Sequence, residues 1–353
     1  MDAPCSAAYS CGGAAENHTD TGTASEPSDT VIHTTDNTIT FANRLDHFLA
    51  RWGVNRMGHR VQPGLYRIGN PDPESMVFAS ANYTLSFNAL RSALANVDAY
   101  ILVLDTKGIN VWCAAGKGTF GTEELIYRIQ ATGLASLVSH RRIIVPQLGA
   151  PGITWPEVLR RSGFKVEFGP VRAADLPAYL KTHTATPDMR RVFFPLRDRI
   201  VLIPVELVQV LPYATIASLA LGFLLNWIIA AQLLTAVLAG TVLFPALLPY
   251  IPTKDFSTKG FLLGFLVMVP FILMNTTTGT SPLVQAGTAI AGLLVFPPVT
   301  AFLALNFTGA TTFTSRTGVR KEIYAYVRVM AAMLVTGIVL AIILWAVRAG
   351  GMN

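Results

Sequence analysis

Charge is scarce in this 353-residue chain. Asp, Glu, Lys and Arg make up 14% of it, against about 25% in ordinary soluble domains. Hydrophobic residues reach 52% and are unevenly spread, which argues for membrane contact. Cysteine is equally sparse: Cys5, Cys11 and Cys113 are the whole complement. No Cys-x-x-Cys pair or Cys/His cluster exists, so zinc or iron–sulfur sites within the chain are not expected. His47, His59 and His183 have no metal-ligand spacing. A charged start followed by an apolar run is also missing, so no secretory signal is expected. The net charge is +6, but the basic residues flank apolar stretches and form no continuous stripe. Membrane topology explains that better than nucleic acid does.

What is present divides into three parts. Residues 1–40 are rich in Ala, Gly, Thr, Ser, Asp and Glu and are expected to be a disordered tail. Cys5 and Cys11 there could capture a soft metal or stand idle. Residues 41–190 form the second part. Phe41 to Trp52 has helical spacing, with Phe41, Leu45, Phe48 and Leu49 on one face and Arg44, Arg51 and Arg56 around the rest. From Gly64 the pattern is α/β. Strands are predicted at Leu65–Ile68, Met76–Ala79, Ala99–Leu104, Arg141–Pro146 and Lys165–Phe168. Helices are predicted at Thr84–Val97, about Gly121–Thr132, Thr154–Ser162 and Ala174–Lys181. Such alternation implies a mostly parallel sheet covered on both faces. His140, Arg141 and Arg142 precede a strand and could meet an anionic group or simply be solvated.

Residues 191–353 are the third part. Apolar spans are predicted near Pro204–Leu224, Trp227–Pro249, Gly260–Asn275, Pro282–Leu305 and Tyr324–Val347. The connections alternate between basic and uncharged. Arg190, Arg191, Arg197 and Arg199 precede the first span, Lys254 and Lys259 follow the second, and Arg316, Arg320 and Lys321 follow the fourth. The positive-inside rule then puts the α/β part in the cytoplasm and the C-terminus outside, with Arg348 dissenting. Glu206 and Gln209 begin the first span, where a carboxylate should lie at the interface or face the bundle. Asn306–Gly309, Thr311 and Thr312 form a polar stretch that could face the α/β part. No internal repeat of the transporter kind is evident.

One stretch draws these parts together: Asn110-Val111-Trp112-Cys113-Ala114-Ala115-Gly116-Lys117. It follows the Ala99–Leu104 strand and precedes a helix, which reads as a tight, small-residue turn where open α/β sheets bind cofactors. It is not a Walker A loop, because Val111 stands at the first glycine position and Gly118 follows the lysine. A dinucleotide fingerprint fails too, since no acidic residue stands about twenty positions on. A thiolate on such a turn is a soft metal ligand and a nucleophile. The positive end of the following helix and Lys117 would favour that thiolate. Ala114, Ala115, Gly116 and Gly118 would let something broad and flat approach the backbone. The competing reading is a buried structural cysteine beside a core tryptophan.

Asn110 to Lys117 resembles, at all eight positions, the signature of the corrinoid protein of microbial mercury methylation (the HgcA family), itself related to the corrinoid iron–sulfur protein. The resemblance extends to Asn82-Tyr83 and to a membrane-spanning C-terminal half. It implies a Rossmann-like corrinoid-binding α/β domain followed by an all-α five-helix transmembrane domain in the cytoplasmic (inner) membrane. It implies a cobalamin-type corrinoid held by Asn110 to Lys117, with Cys113 as the lower cobalt ligand. The Asp-x-His-x-x-Gly motif that supplies a histidine in many corrinoid methyltransferases is absent. The implied activity is a methyltransferase: a methyl group passes from cobalt to Hg(II), forming methylmercury. A thiolate opposite the methyl group would stabilise the more oxidised cobalt left behind. The implied partners are a methyl-donor protein of one-carbon metabolism and a ferredoxin-like protein with two iron–sulfur clusters (HgcB type) as electron donor. Two other readings stay open: a corrinoid methyl carrier of the acetyl pathway with no mercury role, and a non-catalytic membrane transporter or receptor.

Overall fold

Short apolar runs assemble into a six-stranded sheet. The strands are β1 (Ile32–Thr35), β2 (Gly64–Ile68), β3 (Met76–Ala81), β4 (Ala99–Leu104), β5 (Arg142–Val145) and β6 (Lys165–Phe168), in the spatial order β1-β2-β4-β3-β5-β6. Every neighbouring pair is parallel except β2 with β4. The computed structural model describes residues 31–275, 281–311 and 316–349, and the chain divides into two units between Phe193 and Phe194.

β4 is buried at all six positions, as a strand covered on both faces must be. Leu102 and Leu104 join one core cluster with Leu125, Ile126 and Ile129 of α4 (Thr122–Ala131) and Val158 of α6 (Trp155–Ser162). Ile101 and Val103 join another, with Phe87 and Leu90 of α2 (Thr84–Ala93) and Tyr179 of α7 (Leu176–Thr182). Two short helices complete this unit's set after α1 (Phe41–Arg51): α3 (Val111–Lys117) and α5 (Leu134–Leu137). β3 leads through α2 to β4 on one side, whereas β5 leads to β6 on the other. β3 and β5 are therefore the adjacent strands at which chain direction reverses. The crevice outside the carboxyl ends of such a pair is where open α/β sheets bind ligands.

Three expectations need correction. Within the expected disordered tail, 1–40, residues Ile32–Thr35 instead form β1, pairing Ile32 with Leu65 and Thr35 with Ile68. Cys5 and Cys11 lie outside the described residues. The helix expected to reach Val97 ends at Ala93, where Leu94 turns inward. The turn expected around Cys113 is itself the helix α3.

The face of α1 is also inverted. Thr40 caps it by accepting the Asn43 N–H, while Asn43 Oδ1 in turn lies 3.1 Å from the Thr40 N–H nitrogen. The polar side meets the sheet unit. Asp46 Oδ1 lies 2.7 Å from His59 Nδ1, Asn43 Oδ1 accepts from Arg91 Nη2 at 2.8 Å, and His47 Nε2 lies 2.8 Å from Asn88 Nδ2. Phe41, Leu45 and Phe48, which share the apolar face read from the sequence, remain exposed. Burial first, and then Arg51, lower the His47 pKa below its ordinary 6.5. Its contact with Asn88 uses the unprotonated ring nitrogen. A histidine held low in the fold stabilises fully above its unfolded pKa and loses that contribution as pH falls below it. Hydrogen exchange of the α1 amides, corrected for intrinsic rate, should therefore quicken below about pH 6.5. A His47→Gln variant should show no such pH step.

In the second unit, among the described residues, five helices are long and apolar enough to cross a membrane: α8 (Leu196–Leu224), α9 (Trp227–Leu247), α10 (Phe256–Asn275), α11 (Pro282–Asn306) and α12 (Thr317–Arg348). Small residues bring α10 and α11 together. A Cβ on Gly260 would stand 2.6 Å from Ala301 Cα, and one on Gly264 would stand 2.7 Å from Pro297 Cα. Buried Arg199 donates to the carbonyls of Pro245 and Ala246 at 2.9 and 2.6 Å. Glu206 lies in the first turn of the Ile203–Leu224 segment. Thr308 and Thr311 are buried, and Thr308 Oγ1 donates to the Leu305 carbonyl. Thr312, the last residue of that polar stretch, lies outside the described residues.

Candidate functional site around the Cys113 helix

The site begins where β3 ends. Asn82 directly follows that strand and is 1% exposed. Its Oδ1 accepts from the Thr106 N–H at 3.1 Å and the Gly108 N–H at 3.0 Å. Its Nδ2 donates to Asp105 Oδ1 at 3.1 Å. The Thr106 hydroxyl lies 2.8 Å from Asn82 Oδ1 and 2.6 Å from the Ile109 carbonyl, so its single proton serves one at a time. One buried amide thus sets the path of the loop from Asp105 to Ile109. Gly108 takes a left-handed φ of 73°, which a side chain would resist. Glu124 of α4 fastens the loop's start by accepting the Asp105 N–H at 2.8 Å.

That loop delivers Asn110, whose buried side chain accepts the Cys113 N–H at 2.9 Å and caps α3. Gly118 closes the helix in the left-handed conformation, φ 85°. Seven residues make less than two full turns, too few for an apolar period. The sequence therefore reads as a turn although its caps define a helix.

The eight signature residues divide by direction. Val111, Ala114 and Ala115, at positions i, i+3 and i+4, pack into the sheet core. Gly116 and Lys117 are exposed, and Trp112 is half-buried. Cys113, 6% exposed, lies between the two sets, with Gly116 and Lys117 as its i+3 and i+4 neighbours. The smallness of Ala115 serves the segment Gln147–Gly152 that follows β5. A Cβ on Gly152 would stand 2.2 Å from the Phe120 carbonyl oxygen and 3.0 Å from Ala115 Cα. A Cβ on Gly149 would stand 2.5 Å from the Phe120 ring. α3 is therefore wedged over the carboxyl ends of β3 and β5, at the reversal point. Outward the situation is opposite, because a Cβ built on Gly116 or Gly118 meets nothing within 4 Å.

Several sequence candidates lie elsewhere. His140 Nε2 lies 2.9 Å from the Ser75 carbonyl, and Arg141 sits over the Phe164 ring. Both, with Arg142, stand at the amino end of β5, the far edge of the sheet from α3. His59 is buried between Asp46 and the Val54 carbonyl. Among the described residues no three His, Cys, Asp or Glu gather as a metal site. Asn82 entered the sequence reading only as part of a resemblance. The signal for its role was a polar residue ending an apolar strand.

Residues 31–173, which hold all six strands and α1 to α6, match the family described as CdhD, CO dehydrogenase/acetyl-CoA synthase delta subunit. The chain is 33% identical over 128 residues to the acetyl-CoA decarbonylase/synthase complex subunit gamma of Methanopyrus kandleri, covering 36% of this chain and 27% of that one. The Methanocaldococcus jannaschii subunit of the same name is 40% identical over 97 residues, 27% of this chain and 20% of its own. The corrinoid/iron–sulfur protein large subunit of Moorella thermoacetica is 26% identical over 129 residues, 36% of this chain and 28% of its own. The chain thus spans 20–28% of the length of these relatives. The similarity lies with a corrinoid-related protein family, and the family match ends before the five apolar helices.

Proposed function

We propose, from this kinship, that the chain is a membrane-anchored corrinoid protein that passes on a methyl group, with its α/β unit holding the cofactor and Cys113 as the residue that would ligate its cobalt. The single observation that carries this is the place of α3. The helix that the signature forms and Asn110 caps stands at the sheet's reversal point, within residues 31–173, the stretch that matches the CdhD family.

The residues present fit such a group. Gly116 is the sixth of the seven residues of α3, a helical position where glycine is disfavoured relative to alanine. No neighbouring atom forbids a Cβ there. Close approach of a flat ligand supplies a reason for the glycine that the chain's own packing does not. Trp112, Gly116, Lys117 and Gly118 would border the ligand, and Cys113 would offer it a soft sulfur donor. A corrinoid, when bound, supplies a cobalt ion that takes up and releases a methyl group. The protein's part is positional. Asn110 fixes the first turn of α3, Asn82 fixes the loop before it, and burial of Cys113 keeps water from its sulfur. The relatives named as complex subunits support protein partners for this chain, and a methyl-donor protein would be one of them on the proposed reading. The chain has no iron–sulfur ligand set among its described residues, so reducing electrons would come from a partner such as a ferredoxin-like protein with two clusters.

Two acceptors are in view. The relatives' names favour transfer within an acetyl-CoA-forming system, whereas the resemblance of Asn110 to Lys117 favours Hg(II). One experiment separates them. The full chain, purified with corrinoid from membranes and methylated, is given Hg(II), and methylmercury is measured by mass spectrometry. Formation of methylmercury supports the mercury reading. Retained corrinoid without methylmercury leaves the acetyl-CoA carrier. A chain that retains no corrinoid overturns both.

A further inference from the structure

The face that α1 turns outward is apolar, and it borders basic residues. Surface helices normally bury their apolar stripe and expose the polar one. α1 does the reverse. At 3.6 residues per turn, Phe41, Leu45, Phe48 and Trp52 fall within about 60° of arc. Phe41 is 81% exposed and Phe48 54%. Val54 and Met57, just beyond the helix, extend the exposed patch. Arg44 lies along one edge of the stripe and is exposed, with half-buried Arg51 beside it. The inversion is enforced by the bonds of Asn43, Asp46 and His47 to Arg91, His59 and Asn88. Rotation of α1 to bury the stripe would break all three.

An exposed apolar stripe of this kind is suited to a covering surface other than the described residues of this unit. The first 30 residues are poor candidates, because Met1 and Tyr9 are their only large apolar or aromatic side chains. We infer that α1 lies on an anionic lipid surface, its stripe inserted at the headgroup boundary and Arg44 paired with lipid phosphate. Three observations support that occupant. Phe, Leu and Trp on one face with Arg at its flank is the composition of helices that lie in the membrane interface. Basic side chains complement the anionic surface. The same chain carries five apolar helices, which would tether α1 near a bilayer and raise its effective concentration there. The inference rests on the membrane part of the proposed function and is independent of the corrinoid.

The test uses the full chain in phosphatidylcholine nanodiscs containing phosphatidylglycerol. Photoreactive benzoylphenylalanine replaces Phe48 in one variant and Ile342, an exposed residue of α12, in another. After illumination, adducts are identified by mass spectrometry. Both positions are expected to yield lipid adducts. Arg44→Ala should weaken the docking equilibrium at position 48 by about fivefold and leave position 342 unchanged. Lipid adducts at 342, with protein adducts or none at 48, overturn the inference alone. Absence of lipid adducts at both positions overturns the membrane reading and the inference with it.

Discussion

Replacing Cys113 with alanine is expected to abolish methyl transfer while leaving the α/β unit folded. The side chain is small and 6% exposed, so its loss removes little buried area. A cost near 1 kcal/mol is expected from the small cavity. With Cys113 ligating cobalt, as proposed, the functional effect is far larger. Groups one step removed from a metal typically cost about 10–100-fold when removed, so a direct ligand should cost at least about a hundredfold. Methyl release per bound corrinoid, together with the visible spectrum of the cobalt(II) form, gives the measurement. Cys113→Ala should lose the sulfur-to-cobalt absorption as well as the rate. Cys113→His should keep cofactor and lose rate, because imidazole donates less electron density than thiolate. A Cys113→Ala protein with undiminished transfer would leave the sulfur as a structural side chain under a helix.

Asn82 should matter nearly as much, by a different route. Asn82→Ala strands the buried Thr106 and Gly108 N–H groups, each costing about 1–3 kcal/mol when left without an acceptor. The Thr106 hydroxyl still has the Ile109 carbonyl. The unit should therefore lose roughly 2–6 kcal/mol in denaturant unfolding. Corrinoid affinity should fall too, since the freed loop no longer sets the start of α3. Asn82→Asp separates the two roles of the amide. It keeps the Oδ1 acceptor but replaces the donor 3.1 Å from Asp105 Oδ1 with a second carboxylate. Burial and the neighbouring charge would raise the pKa of the new side chain at position 82. A carboxyl raised in the fold stabilises at low pH and loses that contribution as pH rises through its folded pKa. Asn82→Asp should accordingly gain stability relative to wild type as pH is lowered from neutrality. Equal stability of Asn82→Ala and wild type would sink the idea that this amide organises the site.

Much of this layout was legible from local pattern. The run Ala99–Leu104 reads as a doubly covered strand and is one. The apolar stretches after Arg199 read as five spans and form five long apolar helices. Asn110 and Gly118 carry the information for α3, yet their spacing is so short that it passes for a turn. β1 was illegible for another reason. Ile-His-Thr-Thr has little apolar character, and it becomes a strand because β2 offers an open edge to pair with.

The amino-acid order by itself determined five of the six strands, which helices are lipid-compatible and which side chain offers a soft donor. These follow from period, length and residue chemistry along neighbouring positions. Only the tertiary structure decided which way α1 faces, which of the eight signature residues point inward, and that Asn82 holds the loop before Cys113. Those outcomes depend on hydrogen bonds and close contacts between residues far apart in the chain, such as Asn43 with Arg91, Asn82 with Gly108 and Ala115 with Gly152. No local periodicity encodes such pairings. They arise when the sheet brings its strand ends together.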